Sequence, residues 1–302
     1  MLEFIILLFF QFIARPALCP MDTNIKASTV QTAVYKSSTD NVQVELNIAP
    51  SPSPSPTPQV TPTPSPEITD ITDNSNTPAP TPQEEEDMDY IAELTKLGYI
   101  KNEYEDKSLN IRNGILRFQS DSNLVADGIY GPVTTASLKK RVKDTAFKYT
   151  DTVTNPPSMS YWIFINKTRR ILTLYNGTEV VKKYPVAVGN PPSLTPEGHF
   201  KILIKVVNPA WGGGGYAQPI AGGVPENPLG YRWMGLDFGG GGEYGVHGNS
   251  APYSIGTYAS HGCVRMINSD VESLYEIVPE ETPIWIGSDD SLEKDGIIQK
   301  EY

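Results

Sequence analysis

The chain has 302 residues, a formal net charge of -11 and a sequence pI near 4.8. This length predicts about two domains. The acidic balance argues against nucleic acid as a partner, because phosphate binding needs a strongly basic surface.

Residues 1–27 are predicted to form a signal peptide or a membrane anchor. The apolar run at residues 4–14 is shorter than the about 20 residues that span a membrane, and it resembles the apolar part of a secretion signal. Glu3 stands where a signal normally carries a positive charge, so a cytoplasmic protein with a misassigned start is the alternative. Leu18 directly before Cys19 argues against lipidation. We therefore expect an extracytoplasmic protein, secreted or membrane-anchored.

Residues 28–87 are predicted to form a disordered linker rich in Pro, Ser and Thr. Eleven prolines lie between positions 50 and 82, and such a segment favours extended polyproline II, at about 3.1 Å per residue. A ligand for a PxxP-binding partner is the alternative. A long spacer behind an export signal suits a protein that works at a distance from a membrane.

Three short helices are predicted between residues 88 and 145. The first carries Leu94 on its apolar face and stops at Gly98, the second spans 109–118, and the third begins near Pro132. These helices indicate a small all-α domain. A helical spacer whose apolar residues merely pack together is the alternative.

After Pro157 the pattern becomes that of strands. Asn176-Gly177 predicts a hairpin, and the helical capping spacing Ser269-x-x-Glu272 predicts one good helix. In a further strand, Phe200, Ile202, Ile204 and Val206 alternate, so they are expected on one face. The long segment 209–242 without periodicity is typical of a loop over a functional site. The predicted strands are YWIFIN (161–166), ILTLY (171–175), HFKILIKVV (199–207) and PIWIG (283–287).

The segment YASHGCVRM places Cys263 two residues after His261, and His247 lies 16 residues earlier. A thiol with an ordinary pKa of about 8.5 needs a neighbouring base to act as a nucleophile, and either histidine could supply it. Gly248 and Gly262 follow the two histidines and allow close backbone approach. A buried, inert cysteine is one alternative. A zinc site made of both histidines and the thiol is another, but it lacks a fourth ligand.

Two sets of motifs resemble known families. HG at 247–248 followed by SHGCVR at 260–265, with the flanking TPEGHFKI, NPLGYRWMGL and YGVHGNSAPYSIG, resembles the L,D-transpeptidase catalytic domain, also called the YkuD domain. LGY, FQ and DGIYGPVT within residues 88–145 resemble a three-helix peptidoglycan-binding domain. One departure is His199, where the first family often has a small polar residue; no consequence for catalysis is expected.

The resemblance implies a multidomain protein. Residues 158–288 would form a mainly β catalytic domain, a YkuD-like β-sandwich with one helix, preceded by a small three-helix all-α domain that binds peptidoglycan at 88–145 and by the disordered linker. The implied activity is peptidoglycan L,D-transpeptidation, which forms 3→3 cross-links from stem tetrapeptides at the cell wall. The alternatives are an L,D-carboxypeptidase that hydrolyses the same thioester and a non-catalytic wall-binding protein.

The resemblance also implies the roles of individual residues. Cys263 would be the nucleophile and His247 the base. No metal or organic cofactor is implied; the partners would be peptidoglycan stem peptides and glycan, and carbapenem-type inhibitors would acylate the thiol. The expected residues of the oxyanion and orienting group are Ser260, His261, Gly262 and Gly248, and those that bind substrate are Tyr244 and Arg265.

Overall fold

The structure is a computed structural model that describes residues 88–190, 195–215 and 217–302. The predicted export segment at 1–27 and the predicted linker at 28–87 lie outside the described residues. Among the described residues, no helix has the length and apolar character needed to cross a bilayer.

In the described part of the chain, three helices precede the strands and two more are interleaved with the last strands. The helices are α1 (Tyr90–Lys96), α2 (Lys107–Asp121), α3 (Pro132–Lys143), α4 (Asn268–Ile277) and α5 (Asp289–Leu292). The strands are β1 (Thr152–Val153), β2 (Tyr161–Asn166), β3 (Ile171–Asn176), β4 (Glu179–Gly189), β5 (Gly198–Val207), β6 (Arg232–Leu236), β7 (Gly245–His247), β8 (Tyr258–Ser260), β9 (Val264–Met266), β10 (Pro283–Gly287) and β11 (Ile297–Ile298).

Nine strands form one sheet, in the order β3-β2-β10-β5-β6-β7-β9-β4-β8. Because β3 also pairs with β4, the sheet closes on itself. The part of the chain that contains the strands is therefore mainly β, as predicted, and its sheet closes like a barrel. The hairpin predicted at Asn176-Gly177 joins β3 to β4, which confirms that prediction. The main core inside the sheet includes Ile163, Val186 and Ile284.

Strand β5 departs from the predicted alternation. A bulge interrupts its pairing with β6 between Ile202 and Ile204, and an extra residue there reverses which side chains face inward. Ile202 is buried, whereas Ile204 and Val206 are each 37% exposed. Lys205 turns inward instead, and its ammonium donates to the carbonyls of Tyr275 and Val278 at 2.6 and 2.7 Å. The predicted common face was wrong because the bulge interrupts the alternation, and Lys205 then caps the carboxyl end of α4.

Helix α4 exists as predicted, but the capping box at its start does not. The helix begins at Asn268, and its N-cap residue, Ile267, makes no side-chain capping bond. The Ser269 hydroxyl instead donates to Glu103 Oε1 at 2.6 Å. Ser269 thus bonds to Glu103, 166 positions earlier in the chain. Local sequence spacing does not reveal such a long-range contact.

The helical segment and the strands belong to the same compact unit, which includes residues 88–302. Leu116 and Ala126 share a buried cluster with Ile171, Ala187, Ile255 and Ile267 of the β part. The carboxyl-terminal residues add to this attachment, because the Tyr302 hydroxyl donates to Asp144 Oδ2 at 2.6 Å. The sequence offered no signal for this packing.

Arg117 of α2 is the strongest polar connection between the helical segment and α4. Its guanidinium reaches Glu103 at 2.8 Å and Asp270 at 3.1 Å, and the side chains of Arg117 and Asp270 are only 8% and 2% exposed. Removing one member of a buried ion pair leaves the other charge without compensation.

Arg117→Met is therefore expected to lower the free energy of unfolding by about 3 kcal/mol, measured by urea titration. The matched control is Lys96→Met, which removes an i,i+3 pair whose lysine is 76% exposed and should cost under about 0.5 kcal/mol. Equal losses in the two variants would contradict the assignment. The double variant Arg117→Met/Asp270→Leu should recover part of the loss, because the buried carboxylate of Asp270 is removed together with its partner, while Glu103 keeps Lys101 at 3.9 Å.

Candidate active site

Cys263 lies in the turn between β8 and β9 and is 2% exposed. Its Sγ lies 3.5 Å from the backbone oxygen of Glu243, the residue that precedes Tyr244 and β7. Within the described residues it forms no disulfide. The thiol thus sits at a fixed place at the end of a short strand.

Ser260 and Gly262 shape this turn. The Ser260 hydroxyl donates to the Cys263 carbonyl at 2.5 Å and accepts from the Gly262 N–H at 3.1 Å. Gly262 has φ of +134°, a conformation that residues with a side chain rarely adopt. The predicted oxyanion role of the Gly262 N–H does not fit this geometry, because that N–H is already bonded to Ser260.

His247 ends strand β7 and is 3% exposed. Its Nδ1 lies 2.6 Å from the carbonyl oxygen of Gly248. A carbonyl can only accept, so Nδ1 carries the proton and Nε2 of the neutral ring is left as an acceptor. This is the tautomer that a general base needs.

The sheet brings His247 and Cys263 to the same face. Strand β7 pairs in parallel with β9, with Val246 opposite Val264 and His247 opposite Arg265. Since side chains alternate along a strand, the residue before Val264 points to the same side as His247. Both residues also adjoin Trp233: Cys263 shares a buried cluster with it, and the His247 ring stacks on it at 5.5 Å.

Burial is the main cause of the low pKa of His247, which falls from 6.5 to about 3. The nearby positive charge of Arg265 lowers this pKa further, and the hydrogen bond to Gly248 acts in the opposite direction. The imidazole is consequently neutral throughout the physiological range.

This pKa predicts a pH-dependent stability. In the unfolded chain His247 binds a proton near pH 6.5, whereas in the folded chain it does so only near pH 3. Between these values the unfolded state binds more protons, so the stability contributed above pH 6.5 is lost as pH falls. Lowering the pH from 6.5 to 4.5 should cost about 2 to 3 kcal/mol through this residue. His247→Gln should lack that part of the pH dependence in denaturant titrations; an unchanged pH dependence would contradict it.

Asn268, which sequence reasoning missed, holds the backbone beside His247. Its side-chain Oδ1 accepts from the Asn249 N–H at 2.9 Å, and its Nδ2 donates to the Asn249 carbonyl at 3.0 Å. A Cβ on Gly248 would come within 2.2 Å of Asn268 Oδ1. The absence of a side chain at position 248 therefore leaves room for the Asn268 amide. The carbonyl of Gly248 also orients the imidazole. No local signal in the sequence marks Asn268.

The other predicted site residues differ in burial and in the groups that they contact. His261 is exposed, unlike His247 and Cys263. Tyr244 packs against the main core and lies 4.8 Å from the Phe238 ring. Arg265 is half-buried and forms no ion pair with a carboxylate in the part of the chain that the structure describes.

Two further observations concern the third histidine of the chain and the metal-binding side chains. His199, on β5, stacks on Trp285 at 4.1 Å and contacts Asp295 Oδ1 at 2.9 Å, so it belongs to the fold rather than to this centre. In residues 88–190, 195–215 and 217–302, no three His, Cys, Asp or Glu side chains are grouped so as to hold a metal ion.

Known proteins resemble the chain over this part. Residues 160–286 match the family model YkuD, the L,D-transpeptidase catalytic domain. YqjB of Bacillus subtilis, named as an L,D-transpeptidase, is 35% identical over 155 residues, which are 49% of this chain and 86% of that protein. YkuD of Bacillus licheniformis, similarly named, is 37% identical over 134 residues, 44% of this chain and 70% of that protein. The crystal structure of an L,D-transpeptidase (residues 123-326) from Xylanimonas cellulosilytica is 22% identical and covers 65% of this chain and 90% of that chain, with a TM-score of 0.46.

Proposed function

The chain belongs to the L,D-transpeptidase family, and from this we propose that it forms 3→3 cross-links in peptidoglycan by acyl transfer through Cys263. The observation that carries the proposal is the position of the buried His247. Its Nδ1 is hydrogen-bonded to the carbonyl of Gly248, and it lies on the same face of the sheet as Cys263. A neutral imidazole in this tautomer can accept the proton of a thiol.

The first half of the reaction forms a thioester. His247 Nε2 takes the proton of Cys263, and the sulfur attacks the carbonyl carbon of the third residue, a diamino acid, of a stem tetrapeptide. As the tetrahedral intermediate collapses, the carbon–nitrogen bond breaks, and the amine of the terminal D-alanine leaves with the proton held by His247. The backbone N–H groups of His261 and Cys263, rather than that of Gly262, would stabilise the oxyanion.

The second half releases the enzyme. A side-chain amine of a neighbouring stem attacks the thioester carbonyl, a carbon–nitrogen bond forms, and the carbon–sulfur bond breaks. The proton lost by the amine returns to the sulfur through His247. Arg265 is suited to hold a substrate carboxylate, because it lies opposite His247 in the register and is half-buried; Tyr244 is the second proposed substrate-binding residue.

An L,D-carboxypeptidase differs only in the acceptor, since water would replace the amine. Incubation of purified protein with a tetrapeptide-bearing muropeptide, followed by mass spectrometry, separates the two activities. We expect cross-linked dimers and free D-alanine. Tripeptide products without dimers would instead establish the carboxypeptidase.

A wall-binding protein with an inactive catalytic part is the remaining alternative. It is tested by incubation with a carbapenem, a β-lactam that acylates reactive thiols, and measurement of the intact mass. One covalent adduct on Cys263 is expected. A correctly folded protein that binds peptidoglycan but forms no adduct would favour the inactive alternative.

The remaining parts of the chain fit an enzyme that works at the cell wall. Residues 1–27 are proposed to direct export or anchoring, residues 28–87 to give reach, and residues 88–145 to bind peptidoglycan. The support for wall binding is the set of LGY, FQ and DGIYGPVT motifs. Sedimentation with purified sacculi, compared between the full chain and a full-length variant in which the exposed Ile129 and Val133 of the last motif are replaced by Ser, would test it through binding alone.

A further inference from the structure

A cavity of about 430 Å³ is lined in part by Asn249 and Ser250, which closely follow His247 in the chain. Asn249 and Asn268, the pair that holds the backbone beside His247, contribute to its wall. Tyr104 comes from the helical segment and Tyr231 from the residue before β6. The helical segment and the catalytic part thus build this cavity together.

The lining of the cavity is mainly aromatic, apolar and neutral polar, and within the part of the chain that the structure describes Glu103 is its one charged residue. Tyr104 and Tyr231, with Pro225 and Pro252, offer apolar faces, and Asn249 with Ser250 offers neutral polar groups. The carboxylate of Glu103 also reaches the cavity, but it is already bonded to Arg117 and Ser269. A few placed polar groups between aromatic walls are typical of a small-molecule site.

One residue of this wall carries a buried side-chain oxygen that has no hydrogen-bond partner within the described residues. Asn249 is 3% exposed, its Nδ2 donates to the Met266 carbonyl at 2.6 Å, and within the described residues its Oδ1 has no donor. An unsatisfied buried acceptor costs free energy that a bound N–H or O–H group would recover. A ligand with a neutral donor therefore suits this position better than an anion.

We propose that this cavity binds an N-acetylated amino sugar of a glycan strand. A pyranose ring has faces rich in C–H groups that fit against tyrosine and proline, and its hydroxyl and acetamido groups supply neutral donors and acceptors. The choice of sugar rests on the proposed function, since peptidoglycan glycan is built of N-acetylated amino sugars. The cavity would hold the strand next to the loop that carries His247.

The test uses the full chain with Cys263→Ala, so that binding is measured without turnover. Isothermal titration with a tetrasaccharide of N-acetylglucosamine should reveal one saturable site. Maltotetraose, which has the same number of rings but no acetamido N–H, should bind at least about tenfold more weakly.

Two variants in this background locate the site. Tyr104→Leu should weaken tetrasaccharide binding about tenfold, and its backbone remains held by Asn110 through bonds of 3.0 and 2.8 Å. Tyr231→Leu should have a similar effect and serves if the first variant unfolds. The matched control is Tyr253→Leu, an exposed tyrosine outside the cavity wall, with unchanged affinity expected.

Three results would overturn this inference: no saturable binding of the tetrasaccharide, equal affinities of both folded cavity variants and their parent, or displacement of the saccharide by an isolated stem tetrapeptide. None of them bears on the acyl transfer itself. Conversely, absence of a carbapenem adduct on the wild type would remove the proposed catalysis and leave the saccharide site standing.

Discussion

Cys263→Ala is expected to lower the rate of carbapenem acylation and of muropeptide turnover by at least about 10⁴-fold, because the atom that forms the thioester is absent. Intact mass spectrometry should detect no adduct, and product analysis should detect no dimers. Alanine is smaller and apolar, and the site packs against Trp233 and Leu229, so the fold should be retained; circular dichroism would establish this.

The sequence supplies a matched control for this variant. Cys19 is the second of the two cysteines in the chain, and Cys19→Ala makes the same chemical change outside the described residues. This variant should form the full amount of adduct. An adduct on the Cys263→Ala protein, or loss of the adduct on Cys19→Ala, would contradict the assignment of the nucleophile.

His247→Gln is expected to slow acylation about 10³-fold near neutral pH, which is within the range that general-base catalysis contributes. Glutamine can still donate to the Gly248 carbonyl, but it cannot accept and hold a proton. In the wild type the imidazole is already neutral at pH 7, because its pKa is lowered to about 3. The acylation rate of the wild type should therefore not fall near pH 6. A fall there would indicate that His247 titrates with the ordinary pKa of a histidine.

The variant should have a different pH dependence. Without the imidazole, the Cys263 thiolate forms only when the thiol loses its proton to solvent. The acylation rate of His247→Gln should therefore rise about tenfold per pH unit until the thiol is ionised. His199→Gln is the matched control, since that ring lies on β5 against Trp285, and its rate should equal that of the wild type. A rate for His247→Gln within about threefold of wild type would show that another group is the base.

Several elements were predictable because they depend on residues close together in the sequence. The hairpin at Asn176-Gly177 follows from turn chemistry, and strand β10 from a short run of β-forming residues. The pairing of His247 with Cys263 is implied by the resemblance of HG followed by SHGCVR to a known family, and the parallel pairing of β7 and β9 puts both residues on one face of the sheet.

Other elements were not predictable, because distant residues decide them. The bulge in β5 lies in its pairing with β6 and brings Lys205 to the end of α4, and Ser269 bonds Glu103 instead of taking its predicted capping role. The Gly262 N–H is taken by Ser260, so the expected oxyanion donor is already engaged. In each case a side chain satisfies a polar group that only the folded chain brings near it.

The amino-acid sequence by itself determined the mainly β character of the strand-rich part, the positions of most helices, and the thiol and imidazole that are proposed to carry the chemistry. Only the tertiary structure decided that the helical segment packs on the β part, that Asn268 holds the loop beside His247, and that this imidazole is buried and neutral. Patterns of spacing record which residues share a face of one element. They do not record which elements exclude water from a given group, and that exclusion sets both the packing and the pKa.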